Sequence, residues 1–204
     1  MRFSLTLILL PLMLFIASCS SLPEKKESLN SYCKRLSAGI RGSNIILIGV
    51  SFGGIIVQEI SKIISVKKTI IISSVKTKKE LPFMMTIGKN TGLYKYVPVN
   101  WIDNVESLAK FVFGPSIKKK IGLYRKYLSV RDEHYLRWCI EKIINWDNEK
   151  VPKNLIHIHG SLDLVFPSVY ISNAILVKNG THAMILRRAG WFNENLPKLI
   201  TESK

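Results

Sequence analysis

The chain has 204 residues, 47% of them hydrophobic, which suits one domain with a sizeable core and is tight for two. Much of that content is Ile, Leu and Val in short dense runs, which excludes a disordered or fibrous chain and favours a buried parallel sheet. Lys and Arg number 30 against 14 Asp and Glu, a formal net charge of +16. The lysines are scattered, with runs only at Lys67-Lys68, Lys78-Lys79 and Lys118 to Lys120, and no aromatic-interleaved basic motif accompanies them. No nucleic-acid partner is therefore expected; the charge reads as a solvated surface, with an anionic membrane surface as the second reading.

Met1 to Cys19 reads MRFSLTLILLPLMLFIASC. One positive charge precedes an apolar stretch that is interrupted by Pro11 and shorter than the roughly 20 residues of a spanning helix. Residues 1–19 are therefore expected to be a secretory signal. Residues 20–28 are charged, contain Pro23 and read as a linker. Leu29 to Ala38 carries apolar residues at helical spacing and is stopped by Gly39. Asn44 to Val50 is an unbroken apolar run of strand length, Gly54 to Val66 reads as a helix, and Thr69 to Ser73 is a second buried strand. Strand, helix and strand with short connections make the βαβ unit of a parallel sheet.

The pattern changes after Ser74. Residues 81–148 hold no dense strand run but two amphipathic patterns, one near Ile117 to Leu128 and one near Asp132 to Trp146. Strands resume at Leu155 to His159 and Ala174 to Val177, and a last helix is expected from Trp191 to about Thr201. Three cysteines cannot build a disulfide framework; Cys33 and Cys139 fall on apolar helix faces and read as small buried hydrophobes.

Gly49-Val50-Ser51-Phe52-Gly53 fits G-x-S-x-G, and it lies where an apolar strand gives way to a helix. A serine on that sharp turn holds its hydroxyl clear of the backbone, and flanking glycines avoid collision between strand and helix. Serine needs a base held in the correct tautomer to become a nucleophile. Asp163 follows the strand Leu155 to His159, and His182 follows the strand Ala174 to Val177, which places acid and base in the order this arrangement requires. Each has a plainer reading, Asp163 as a turn residue and His182 as a surface loop histidine.

The segments ESLNSYCKRL, NIILIGVSFGGIIVQEI, KTIIISSVKTKKELP, HIHGSLDLVFP and NGTHAMI together resemble the landmarks of a small bacterial α/β-hydrolase. The resemblance covers nearly everything after the linker and implies an α/β-hydrolase domain over residues 29–204 with a helical cap at about 81–148. It implies Ser51 as nucleophile, His182 as base, Asp163 as the orienting carboxylate and the Phe52 N–H as one oxyanion donor, with no cofactor. The implied substrate is a small ester or thioester. Ile16-Ala17-Ser18-Cys19 likewise resembles the bacterial lipobox, which implies a lipid on Cys19, a tether to a membrane and a location outside the cytoplasm; without a genuine leader the location would be the cytoplasm.

His157 and His159 alternate along one strand and, with Asp163 or His182, could hold a metal. No metal is expected, because hydrolases of this kind often carry a structural histidine before the glycine of that loop. Relatives also place several strands and a glycine loop ahead of the elbow, and that loop gives the second oxyanion N–H. Here only the linker and one helix separate the leader from the elbow strand. The fold is therefore expected to be incomplete and N-terminally truncated, and the rival to an active esterase is an impaired hydrolase-fold fragment or a membrane-tethered binding module.

Overall fold

The computed structural model describes residues 22–96 and 133–202. The leader with Cys19 and the helix expected near Ile117 to Leu128 lie outside these residues.

Four strands, β1 (Ile46–Val50), β2 (Lys68–Ile72), β3 (Leu155–Gly160) and β4 (Ile175–Val177), form one parallel sheet in the order β1-β2-β3-β4. Every residue of β2 is buried, as a strand covered on both faces should be. Side chains alternate between the two faces. Ile71 therefore enters one core with Tyr32, Leu47, Ile55 and Trp138, while Ile70 and Ile72 enter another with Ile158, Met184, Phe192 and Leu196.

The helices divide between those faces. α1 (Leu29–Ser37) starts at Ser28, whose hydroxyl accepts the Ser31 N–H at 3.0 Å and so caps the first turn. It packs through Tyr32 and Cys33 on α2 (Phe52–Ile60). The expected helix from Gly54 to Val66 is shorter than its apolar spacing suggests. After Ile60 the chain tightens into a turn, with Ile63 N–H donating to the Ile60 carbonyl at 2.8 Å. Ile63, Ile64 and Val66 still pack on the same core, which is why the apolar rhythm continues past the helix.

In the stretch after β2, a 3-10 turn (Lys78–Glu80) leads to α3 (Phe83–Thr91), a second 3-10 turn (Leu93–Tyr96) and, beyond residue 132, α4 (Glu133–Ile144). α3 was not expected from the sequence. None of its residues is buried, and Phe83 and Met84 are exposed, so it has no buried stripe to mark it as helical. Gly92, at φ 72°, ends it in the left-handed conformation that suits glycine.

α4 is anchored by Trp138. Its ring lies 4.8 Å from Tyr32 and 5.7 Å from Phe52, centroid to centroid, and its Nε1–H donates to the Glu27 carbonyl at 2.8 Å. α5 (Met184–Arg187) and α6 (Ala189–Thr201) cover the other face. Cys33 and Cys139 are both buried.

Two lysines depart from the solvated surface expected of them. Lys68 is buried, and its ammonium donates to the carbonyls of Leu199, Ile200 and Glu202 at the end of α6. Those carbonyls lack helical partners, so a cation there satisfies them. Lys76 is also buried, pairing with Glu80 at 3.3 Å.

Candidate active site

Parallel strands leave all their carboxyl ends on one side of the sheet, and the loops that follow them meet there. Ser51 follows β1, Asp163 follows β3 and His182 follows β4.

Ser51 adopts φ 55°, ψ −123°, a backbone conformation rare for a residue with a side chain. Its N–H donates to the Ile72 carbonyl at 2.9 Å, and its carbonyl accepts the Gly54 N–H at 2.9 Å, so the turn is held on both sides. A Cβ on Gly49 would fall 2.2 Å from the Gly53 carbonyl oxygen. Strand and helix can approach this closely only through glycine. Phe52 is the first residue of α2, so its N–H has no acceptor within the helix. Its ring is fixed against Trp138.

Asp163 is 3% exposed. Its Oδ1 accepts the N–H groups of Val165 at 2.8 Å and Phe166 at 3.0 Å, closing an Asx turn on its own loop. Its Oδ2 lies 2.9 Å from Nδ1 of His182, and Nε2 of His182 lies 2.8 Å from Oγ of Ser51. A carboxylate only accepts, so Nδ1 carries the imidazole proton and Nε2 is left bare to accept from the serine hydroxyl. Burial opposes the charge on Asp163, but the hydrogen bond and electrostatic attraction of His182 and the Phe166 N–H outweigh that and hold the carboxyl below the usual range. The Phe166 ring stands 5.7 Å from the imidazole of His182.

The two loops that carry Asp163 and His182 touch through their backbones. Leu162 N–H donates to the Gly180 carbonyl at 2.8 Å and Ser161 N–H to the Val177 carbonyl at 3.1 Å. The structure thus brings Ser51, His182 and Asp163 into one hydrogen-bonded line, and Phe52 lies beside it in sequence.

His157 and His159 lie behind that line, both buried. His157 Nε2 is 3.2 Å from His159 Nδ1, and His159 Nε2 is 2.8 Å from the Phe166 carbonyl. Burial first, then the neighbouring His159 and Lys76, push His157 down to about 3. Burial also lowers His159. Among the described residues, no three or more His, Cys, Asp or Glu side chains are grouped to hold a metal ion. His134, in α4, is exposed.

Sequence reasoning passed over Phe166, whose amide serves Asp163. The signal was present in Asp163-Leu164-Val165-Phe166, since an aspartate commonly binds the backbone N–H groups two and three residues on. Among the described residues no strand lies beyond β1, and α1 is the one helix or strand before it.

The sheet, its flanking helices and the elbow define the α/β-hydrolase fold. Solved structures with this arrangement include a hydrolase from Pseudomonas aeruginosa, 14% identical, at a TM-score of 0.65 over 89% of this chain and 75% of that one. A thermophilic esterase is 17% identical, with a TM-score of 0.58 over 87% and 74% of the two chains. An alpha/beta hydrolase enzyme from a deep-sea metagenome of the Medee basin is 12% identical, with a TM-score of 0.58 over 89% and 74%. At these identities the likeness is one of fold. No family model and no curated protein matches the sequence.

Proposed function

We propose that the chain is a serine hydrolase that cleaves an ester or thioester through an acyl-enzyme on Ser51. The observation that carries this reading is the line Ser51 Oγ to His182 Nε2, 2.8 Å, and His182 Nδ1 to Asp163 Oδ2, 2.9 Å. The esterase among the similar structures supports the substrate class.

In this reading Ser51 Oγ attacks the substrate carbonyl carbon while His182 Nε2 takes the hydroxyl proton. Asp163 keeps the imidazole in its tautomer and stabilises the imidazolium. The oxyanion receives the Phe52 N–H. Collapse breaks the bond to the leaving alkoxide or thiolate, which takes the proton from Nε2, and leaves acyl-Ser51. A water then gives its proton to Nε2 and its oxygen to the acyl carbon. The acid departs as the proton returns to Ser51.

A fluorophosphonate probe tests this, because it bonds covalently only to an activated serine. The expected result is labelling of the intact chain that disappears in Ser51→Ala. A folded chain that takes no label would remove the enzyme reading.

One observation favours a second reading. With β1 at the sheet edge among the described residues, Phe52 is the one oxyanion donor assigned, and a missing second donor typically costs about 100- to 1000-fold in rate. The chain would then be an impaired hydrolase or a binding module, and hydrolysis of an activated ester at no more than the background rate would favour it. For the leader, the sequence supports a lipid on Cys19 and a membrane tether outside the cytoplasm; incorporation of an alkynyl fatty acid that is lost in Cys19→Ser is the expected outcome.

A further inference from the structure

We infer that His159, steered by His157, is a positioning residue for the Ser51–His182–Asp163 line: it locks the loop that carries the acid and thereby the imidazole of His182. The inference rests on the serine-hydrolase reading above. His159 bonds to His157 and to the Phe166 carbonyl rather than to Ser51, so its action runs through Asp163.

The protons in this cluster follow from one carbonyl. His159 Nε2 lies 2.8 Å from the Phe166 oxygen, and a carbonyl only accepts, so Nε2 carries a proton. In the neutral ring that burial favours, Nδ1 is then bare and accepts from His157 Nε2 at 3.2 Å. The two rings stand at 82° to each other, which points the His157 donor along the edge of its neighbour.

Phe166 is the hinge between this pair and the acid. Its carbonyl is held by His159, and its own N–H donates to Asp163 Oδ1 at 3.0 Å. The same His159 Nε2 is 3.6 Å from Asp163 Oδ2. That is beyond a hydrogen bond, yet it keeps the N–H dipole close to the carboxylate. Both histidines stand on β3, two residues apart and on one face. A strand bonded to neighbours on both sides thus sets the acid loop, and an element of that kind holds a site more tightly than a loop can.

The test compares His159→Gln with His159→Asn in the full chain. A Gln amide reaches the place of Nε2 and can still donate to the Phe166 oxygen; an Asn amide reaches only the place of Nδ1. The rate constant for fluorophosphonate bonding at saturation is expected to fall about 10- to 100-fold in His159→Asn, the cost of misplacing a reacting group by a fraction of an ångström to one ångström. Half-saturation should stay close to wild type, the melting temperature should fall by the few degrees that an orphaned buried carbonyl costs, and Gln should restore most of the rate and of the stability. In an Asp163→Asn background the same change should add little, because it acts through that carboxylate.

Labelling of His159→Asn at the wild-type rate overturns the inference. If that variant does not fold, His157→Phe, which removes only the donor to His159 Nδ1, carries the test: a slower rate supports the inference and an unchanged one overturns it. If the wild-type chain takes no label, it is the serine-hydrolase reading that fails. The downfield proton resonance of His182 Nδ1–H, assigned by its loss in His182→Ala, then decides separately: broadening or loss in His159→Asn supports the positioning role and an unmoved signal ends it.

Discussion

Gly160 and Gly180 meet backbone to backbone: a Cβ on Gly160 would fall 2.4 Å from the Gly180 carbonyl oxygen. This contact joins the acid loop to the histidine loop, and neither side can yield without moving a residue of the candidate site.

Gly160→Ala is therefore expected to destabilise the chain by about 1–3 kcal/mol, the usual cost of overpacking. It should also slow labelling of Ser51 by more than the stability loss explains, since the loops must part. Gly190 provides the control. A Cβ there meets nothing within 4 Å, and a Gly→Ala change in an exposed helix stabilises by about 0.5–1 kcal/mol. Urea titrations of both variants, with labelling rates, check the pair; equal behaviour would rule out the contact as a constraint.

The buried imidazole of His157 makes stability depend on pH. Its folded value, about 3, lies below the ordinary 6.5. Between those values the unfolded chain binds the proton and the folded chain does not, so stability falls as pH falls from 6.5 toward 3. The slope for one such group is at most about 1.4 kcal/mol per pH unit. Asp163, whose carboxyl is held low, adds a further loss only at the acid end, as pH drops through its folded value. Urea midpoints at pH 7, 5.5 and 4 should decline steadily, and His157→Leu should flatten the upper part of that decline. A midpoint that stays level in the wild type contradicts a neutral buried His157.

Lys68 holds the end of α6. Its ammonium lies 3.2 Å from the Ile200 carbonyl oxygen and 2.8 Å from that of Glu202. Lys68→Met keeps the stem and removes the donors. It should cost about 1.5–3 kcal/mol, the range for hydrogen bonds to charged groups. Hydrogen exchange should quicken first in the last turn of α6; exchange that quickens evenly over the whole chain would show that the lysine does not act as a cap.

Trp138→Phe keeps an aromatic ring beside Tyr32 and Phe52 but removes the Nε1–H that meets the Glu27 carbonyl at 2.8 Å. A buried acceptor left without its donor costs about 1–3 kcal/mol, and the same loss is expected here by thermal melting. Trp138→Ala should be worse and should also slow labelling, because the Phe52 ring at 5.7 Å loses its support next to Ser51.

The α/β-hydrolase fold and its parallel sheet were legible because each clue was local. A dense apolar run ending at Val50, glycines around Ser51 and turn residues after β3 and β4 all act within a few positions of themselves. Asp163 and His182 could be picked as candidates for the same reason. What the sequence hid depends on partners far along the chain. Lys68 looks like any surface lysine until α6 arrives from 131 positions or more away. His159 reads as one of an alternating pair, and only the folded loop supplies the Phe166 carbonyl that fixes its tautomer. α3 escaped because helical rhythm records a buried face, and it has none.

The pairing of β2 with β3, which sets Thr69 against Leu155 and Ile72 against Ile158, is also a division of labour along the chain. Residues up to 96 contribute Ser51 and two strands; residues from 133 onward contribute Asp163, His182 and the other two. Neither part holds the whole Ser51–His182–Asp163 line alone. Expressed as two polypeptides, they would regain that line only where β2 and β3 pair again, so on the serine-hydrolase proposal their recombination would report strand pairing as a chemical signal.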